Sequence, residues 1–463
     1  MIGCGAVNLV TAYTLVKNGW QIEMIDKGPN PILNQPHPGA TWSGKDARMF
    51  TLTEADNYND RTPVPSPLKT LFKRQLDQLG WDIRANRKAE GKWIDAHSSL
   101  PYQKAIECEN AIQKFNIESE PLWNAMIREN PALFEDAVLK EGIIRMYSDR
   151  NQYLRQLERH RSLNSLLEAY HPLEKILCEM PGLAHPVRNN AIAGAFKTKG
   201  FTVNAHKFFR NMVSYLEDHG VEFHWGEEVY SVERSEDGRV TALETEKRTI
   251  PNGHFVLSPG AYGNELLQNT SSRNQIGGVL GGWATIPHLD EGFNYSMKIA
   301  RKDHVTEDSN VTLATQNGRK VLYVGSGYGF TGFDPENICH EQLQLVYRGI
   351  EDTIQNFFPD AYDQVKDTPD FRASFTFCVR PWTSNGLGIF EQIQTINGGK
   401  LVISGGHNTG GFAQAPSVAQ AVLAALEGKE HIMHHLYHPQ KHILLPTATV
   451  SNPTANAFSA NLV

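Results

Sequence analysis

The sequence predicts an α/β fold with a second lobe of antiparallel sheet plus a helical insertion. Three observations predict it. A glycine turn, a helix and a strand open the chain at residues 1–26. A long aromatic and glycine-rich strand pattern fills residues 277–333. A second strand, glycine turn and alanine-rich helix follow at 401–426.

The opening stretch reads MIGCGAVNLVTAYTLVKNGWQIEMID. Gly3, Gly5 and Asn8 stand at the three positions of a G-x-G-x-x-G fingerprint. The first glycine turns the chain tightly and the second lets backbone approach a pyrophosphate. The third position normally wants a small residue so that helix and strand pack closely. Helical spacing runs from Ala6, with Ala12, Leu15 and Val16 on one face, and Asn18-Gly19 ends it. Gln21 to Ile25 reads as a buried strand closing on Asp26, placed to accept hydrogen bonds from ribose hydroxyls. The pattern is Rossmann-like with two departures. Asn8 replaces a glycine, and only Met1 and Ile2 precede the turn. A sheet with so short a first strand should be weak. The expectation is that the natural chain carries a few more N-terminal residues, or that another segment covers that strand.

Composition bounds the partners. The chain has 463 residues, 40% of them hydrophobic, a formal net charge of −7 and no block rich in lysine or arginine. Nucleic acid is therefore not an expected partner, because phosphates require a basic face. No apolar run reaches the ~18 residues of a membrane span, and no signal-peptide pattern opens the chain. The five cysteines are scattered without a C-x-x-C, which reads as reduced thiols in a cytoplasmic protein.

Pro29 to Pro38 is a loop leading to a polar, glycine-containing segment ending at Arg48. From Ser66 to about Leu183 the pattern is mostly helical, over Leu68 to Leu79, Gln103 to Phe115 and Arg150 to Tyr170. Asn204 to Gly220 reads as an amphipathic helix. Val221–Trp225, Val229–Glu233, Val240–Thr245 and His254–Leu257 read as strands, the last running into the turn Ser258 to Gly263. GGVLGGWATIP and KVLYVGSGYGFTGF suggest the antiparallel sheet, and Glu341 to Phe358 a helix. Phe375 to Ile389 reads FTFCVRPWTSNGLGI. The strand Leu401 to Ile403 then meets Gly405-Gly406-His407-Asn408-Thr409-Gly410-Gly411 and a helix over Pro416 to Leu426. Such a turn aims backbone N–H groups at an electron-rich ligand. Residues from about Ile443 read as a tail.

GCGAVN…MID, SPGAYGNELL and CVRPWTSNGLG…LVISGGHNTGGFAQAPSVAQAVLAAL occur in the order seen in the D-amino-acid oxidase superfamily. The chain resembles that superfamily, which includes glycine and sarcosine oxidases and bacterial D-amino-acid dehydrogenases. The GGWATIP…YVGSGYGFTGFD run looks more like the dehydrogenase branch. The resemblance implies FAD, and oxidation of the C–N bond of an amino acid or related amine, with oxygen or another electron acceptor. By position it implies Gly3, Gly5 and Asn8 at the pyrophosphate, with Ala6 and Val7 between them. It implies Asp26 and the neighbouring Lys27 at the adenosine ribose, Val229 at the adenine, and Gly260 and Ala261 at a second turn. Ser43, Lys45, Asp46, Ala47 and Arg48 match a segment beside the pyrophosphate and flavin, with lysine, aspartate and arginine replacing the family's arginine, asparagine and glycine. GKDARMFT also resembles the sarcosine-oxidase version, in which arginine stands at Arg48. The second arginine of that version is Thr51 here. Gly406, His407, Asn408, Thr409, Gly410 and Gly411 would cradle the flavin.

Within that frame Arg380 is the main candidate for the substrate carboxylate, since arginine's fork suits a carboxylate; Arg48 is the second. A structural arginine on an acid or carbonyl is the competing reading of Arg380. His407 reads as flavin environment before proton transfer. Trp283, Tyr323 and Tyr328 could line the substrate pocket, although sheet aromatics are usually core. Cys378 lies two residues before the place of the sarcosine branch's flavin-linking cysteine, which is Arg380 here. A buried thiol is therefore the expectation over a covalent bond. His431, His434, His435 and His438 fall at helical spacing, and a solvated helix end is preferred to a metal site. The expected division is a discontinuous FAD-binding domain of residues 1–60, 200–275 and 372–436, a substrate domain of 61–199 and 276–371, and a tail of 437–463. The alternatives are an FAD-dependent hydroxy-acid or glycerol-phosphate dehydrogenase, a flavin-domain RNA-modifying protein, and a silent binding protein. No convergent basic set for a phosphate is evident.

Overall fold

The structure, a computed structural model, describes residues 1–33, 48–54, 87–251, 253–289, 292–302, 304 and 308–440. The first elements are α1 (Ala6–Lys17), β1 (Glu23–Asp26), β2 (Arg48–Phe50), α2 (Arg87–Ser99), α3 (Tyr102–Glu129), β3 (Lys140–Tyr147), α4 (Arg150–Ser162), β4 (Leu166–Ala169) and β5 (Gly194–Val203). Next come α5 (Ala205–Asp218), β6 (Glu222–Trp225), β7 (Val229–Arg234), β8 (Val240–Thr245), β9 (Thr249–Ile250) and β10 (Phe255–Leu257). Then β11 (Ile276–Pro287), β12 (Ser296–Ala300), β13 (Asp308–Gln316), β14 (Arg319–Gly332) and α6 (His340–Phe357) precede β15 (Thr376–Thr383), β16 (Ile389–Gln394), β17 (Lys400–Gly405), α7 (Gly411–Leu426) and α8 (Ile432–Leu436).

The stub before the first turn is the centre of a sheet. Ile2 bridges in parallel to Ile25 of β1 and to Leu257 of β10. Beyond them β1 pairs with β6, β10 with β17, and β17 with β16. Ile2 N donates to Val256 O at 2.7 Å and Gly3 N to Ile25 O at 2.8 Å, while Ser258 N donates back to Ile2 O at 3.0 Å. Three residues thus hydrogen-bond on both sides, so the sheet is continuous where the sequence suggested weakness. α1 and α7 pack over it, with Leu15, Val418, Ala421 and Val422 in one core with Val256. β7, β8 and β9 form a separate small antiparallel sheet.

The large sheet runs β15-β11-β14-β13-β12-β3-β5-β2, with β4 on β5. Its outer face packs on α6: Leu343, Val346 and Ile350 meet Leu280, Ala284, Met297, Val311 and Val324. β15 and β2 end the strand path, yet the Cys378 thiol on β15 senses both Arg380 and Arg48 of β2. The sheet therefore curls until its two ends approach each other.

Two helical expectations change. Arg150 to Tyr170 is helical only to Ser162. Asn164 takes a left-handed φ of 52°, Ser165 N closes on His160 O, and residues 166–169 become β4. The KEGIIRMY stretch is strand β3, lying between β12 and β5. Its Ile143 and Ile144 are both buried, so a strand covered on both faces lacked the alternation that marks one in sequence. The α7 helix also starts five residues before Pro416, at Gly411. Leu68 to Leu79 and the tail from Ile443 lie outside the described residues.

Candidate active site

The glycine turns gather at the carboxyl ends of the parallel strands, where open α/β sheets bind ligands. Gly3 has φ 88°, and a Cβ there would lie 2.6 Å from Ser258 O. Conformation and close approach both demand glycine. Asn8 is no damaged glycine. Its Nδ2 donates to Ile2 O at 2.8 Å and Gly3 O at 2.9 Å, and its Oδ1 accepts from Ser258 Oγ at 2.9 Å. One buried amide ties the first turn to the turn after β10. Gly5 stands at the N-cap of α1 without a side chain to cap it, with Ala6 and Val7 in the first turn. Asp26 accepts from Cys4 N at 2.6 Å and Gly28 N at 2.7 Å, so its carboxylate braces the same turn.

Val229 begins β7 beside this corner, since Glu227 N donates to Asp26 O and Gly226 N to Gly28 O. Lys27 instead points to solvent, paired with Glu228 at 3.4 Å with both side chains more than half exposed. The structure gives it no place in the turn. Gly260 has φ 66° with open space where a Cβ would be, and Ala261 beside it is buried. Ser43, Lys45, Asp46 and Ala47 lie outside the described residues. Arg48 opens β2, pairing with Val203.

The second turn is fixed by Asn408. It takes φ 54°, its N donates to Pro381 O at 2.9 Å, its Oδ1 accepts from Thr383 N at 3.3 Å, and its Nδ2 donates to Gly386 O. His407 bridges Trp382, locking the loop to β15. Gly406 has φ 68° and lies against Thr383 and Ile276. Gly410 is the N-cap of α7, and Gly411 begins the helix against Val7. The His407 Nε2 lies 3.2 Å from Ser404 Oγ. Burial pushes its imidazole down to about 4, so the ring is neutral at pH 7. His407 Nδ1 and Thr409 Oγ1 are buried without a hydrogen-bond partner among the described residues.

The inner face of the large sheet carries Arg380. Its Nη2 donates to Gly327 O at 2.6 Å and Leu280 O at 3.0 Å, and Nε to Val279 O at 3.4 Å. A Cβ on Gly281 would meet Nη2 at 2.6 Å, so the guanidinium lies over that glycine. Tyr328 packs its ring 5.1 Å from the guanidinium carbon. The carbonyl-bound arginine considered from sequence is thus half realised, while Nη1 makes no hydrogen bond among the described residues. Trp283 lies one pleat beyond Gly281. Tyr323 sits farther along the sheet with Ala314 and Val321. Cys378 pairs across from Gly281, and burial holds its thiol above its ordinary range. The histidine cluster divides: His431 Nε2 meets Glu118 Oε1 at 2.8 Å and His434 Nε2 meets Ala421 O at 2.8 Å.

Ser258, Trp382 and Ser404 were missed in the sequence. Ser258 had the signal of closing a strand at a glycine turn; Trp382 had none, since it acts through a bridge to a distant loop, and Ser404 stands three residues before the His407 it contacts.

A family model described as FAD-dependent oxidoreductase matches residues 1–425. The chain belongs to the FAD-dependent oxidoreductase family. It is 21% identical over 440 residues to the D-amino acid dehydrogenase of Chromohalobacter salexigens, covering 93% of this chain and 95% of that one. It is 23% identical over 440 residues to that of Granulibacter bethesdensis, covering 94% and 97%. The fold is that of glycine oxidase from Geobacillus kaustophilus, with TM-score 0.60, 16% identity and 93% and 94% coverage. It is also that of L-proline dehydrogenase from P. horikoshii, with TM-score 0.61, 14% identity and 96% coverage of each. The motif resemblance and the α/β fold class thus hold, and the cofactor of this FAD-dependent oxidoreductase is FAD. The chain's residues fit the group: two glycine-led helix starts, open space at Gly260, and an unmatched buried hydroxyl on Thr409. No helix among the described residues is long and apolar enough to cross a membrane.

Proposed function

We propose that the protein oxidises the C–N bond of an amino acid or related amine bound by its carboxylate at Arg380. The observation that carries this reading is the arginine's setting. Two of its nitrogens are spent on sheet carbonyls, which fixes the plane of the fork, and the third is left to an incoming anion. Two residues on, Trp382 bridges His407 of the glycine loop, so clamp and loop form one rigid unit.

When bound, the flavin supplies the two-electron acceptor. Gly3, Gly5 and Asn8 would hold its pyrophosphate, Asp26 its ribose, and the Gly406–Gly411 turn with α7 its ring. Arg380 orients the substrate so that its Cα–H bond is presented, which is catalysis by positioning. The amine lone pair forms the C=N bond as the hydrogen leaves with its electron pair, and water hydrolyses the imine. His407 is neutral and holds the loop; it carries no proton in this scheme. Arg48 approaches the same centre from the opposite end of the sheet and serves as a second positive charge near the carboxylate. The expected domain division follows the same roles, the dinucleotide in one discontinuous unit and the substrate on the large sheet.

Anaerobic bleaching of the flavin tests this reading, with a panel of D-, L- and N-methyl amino acids and 2-hydroxy acids. Bleaching by amino acids is expected, followed by reoxidation with oxygen or an artificial acceptor. Bleaching by hydroxy acids alone, or by nothing in the panel, overturns it.

A further inference from the structure

On the inner face of the large sheet, polar atoms lie buried without partners just beyond Arg380. Strand pairing sets Thr376 beside Trp283, Trp283 beside Gly325, and Gly325 beside Asn310. These residues therefore form one row across β15, β11, β14 and β13. The outer face is settled by Ala284, Val311 and Val324, which pack on α6, so the row faces the other way. Thr376 Oγ1, Trp283 Nε1 and Asn310 Oδ1 are all buried with no hydrogen-bond partner among the described residues, as is Thr312 Oγ1 in the next row. A protein rarely leaves so many such atoms unmatched in one place.

The indole is aimed. A Cβ on Gly325 would lie 2.1 Å from both Cδ1 and Nε1 of Trp283. The N–H edge thus lies over a glycine, one strand short of Asn310, whose Oδ1 could accept a hydrogen bond. The two are not bonded to each other, so a donor and an acceptor stand across a bare glycine. Trp283 is 5% exposed. The Arg380 guanidinium over Gly281 lies one pleat from Trp283, a spacing of about 6–7 Å along a strand.

The row continues onto β12 and β3, where Lys298 stands beside buried Arg145, which is held by Thr53 and His160. Lys298, paired across from Asn310, binds Glu54 at 2.7 Å with both side chains almost fully buried. The unmatched atoms themselves are neutral, an indole N–H donor, an amide acceptor and two hydroxyls, so none of them would pair a buried charge. An uncharged group carrying both donor and acceptor fits.

Building on the carboxylate role of Arg380, we infer that Trp283 and Asn310 select an amino acid whose side chain ends in an amide or a hydroxyl. The test compares glutamine with norleucine, and asparagine with norvaline, in both enantiomers, on the holoenzyme. The kcat/KM ratio of amide to apolar partner should exceed about 100, because a site built for hydrogen bonds rejects the isostere that lacks them. Asn310→Leu and Trp283→Phe should each lower that ratio by about tenfold or more, the effect of one lost hydrogen bond in a dry site. A wild-type ratio near one, or a preference for aspartate or glutamate, overturns the inference while leaving the oxidation itself standing. If either variant fails to fold, the wild-type ratio decides. If no amino acid bleaches the flavin, the proposed function falls, and this inference with it.

Discussion

The two ends of the site treat their polar atoms in opposite ways. At the dinucleotide end the side chains serve the chain itself: Asn8 makes three hydrogen bonds within the turns, and Asp26 braces Cys4 and Gly28. On the sheet face, Trp283 Nε1, Asn310 Oδ1 and Thr376 Oγ1 meet nothing among the described residues. A common cofactor can be held by backbone N–H groups whose positions a few braces make permanent. A particular substrate has to be read by side chains left open for it. Mutations at the first end should therefore cost stability and cofactor retention, and those at the second should cost catalysis and selectivity.

The largest effect is expected at Arg380. Arg380→Lys keeps the charge but loses the fork, and kcat/KM should fall about 100-fold or more, ~3 kcal/mol of transition-state binding. The hydrogen bonds to the Val279, Leu280 and Gly327 carbonyls are lost as well, so some thermal stability should go with them, while flavin content should change little. A variant that loses FAD along with activity would erase the distinction between the two ends.

Asn8→Ala is the converse. It removes three buried hydrogen bonds and leaves the Gly3 carbonyl and the Ser258 hydroxyl short of partners, while Ile2 O keeps Ser258 N. The loss should be about 2–4 kcal/mol of stability, with weakened FAD retention and unchanged substrate preference. Asn8→Gly, which restores the common fingerprint, should be as damaging. An unchanged melting temperature for both would show that the brace does no such work.

Acid should act through the second turn. His407 has its pKa lowered from 6.5 to about 4 by burial, so the unfolded chain takes up this proton more readily. Stability from the neutral ring is fully present above about pH 6.5 and is lost as pH falls towards 4, at up to ~1.4 kcal/mol per pH unit. Buried His160, lowered to about 2 by burial and by Arg145, Arg159 and Lys298, adds a loss of the same sign. His407→Asn should flatten the slope of stability against pH in that window; identical slopes would remove His407 from the account.

Much of the first end was legible in sequence because its signals are local. A glycine that needs φ 88°, an acid closing a strand, and a glycine run before a helix each announce themselves within a few residues. The brace on Asn8 was not legible, because its partner Ser258 is 250 positions away. The sheet face was legible only as aromatic and glycine-rich strands. Which side of each strand faces inward depends on pairing among β15, β11, β14 and β13, and bulges such as those near Gly278 and Leu280 shift the alternation that a sequence pattern relies on. Trp283 was recognised as a candidate; Asn310, Thr312 and Thr376 became candidates only once neighbouring strands set them in rows.

The smallest effect is expected at Cys378, on the sheet face. Its thiol lies across from Gly281, near Arg380 and Arg48, which pull the thiol's pKa down while burial pushes it up more strongly. A buried thiol kept protonated is a poor nucleophile, so no bond to the flavin should form. Acid precipitation should give a colourless pellet and a yellow supernatant. Cys378→Ala should keep its FAD and cost about 1 kcal/mol of stability, as trimming one small buried side chain does. A yellow pellet from the wild-type protein would mean that the arginines outweigh burial at this position, and that the sheet face helps to anchor the cofactor as well as the substrate.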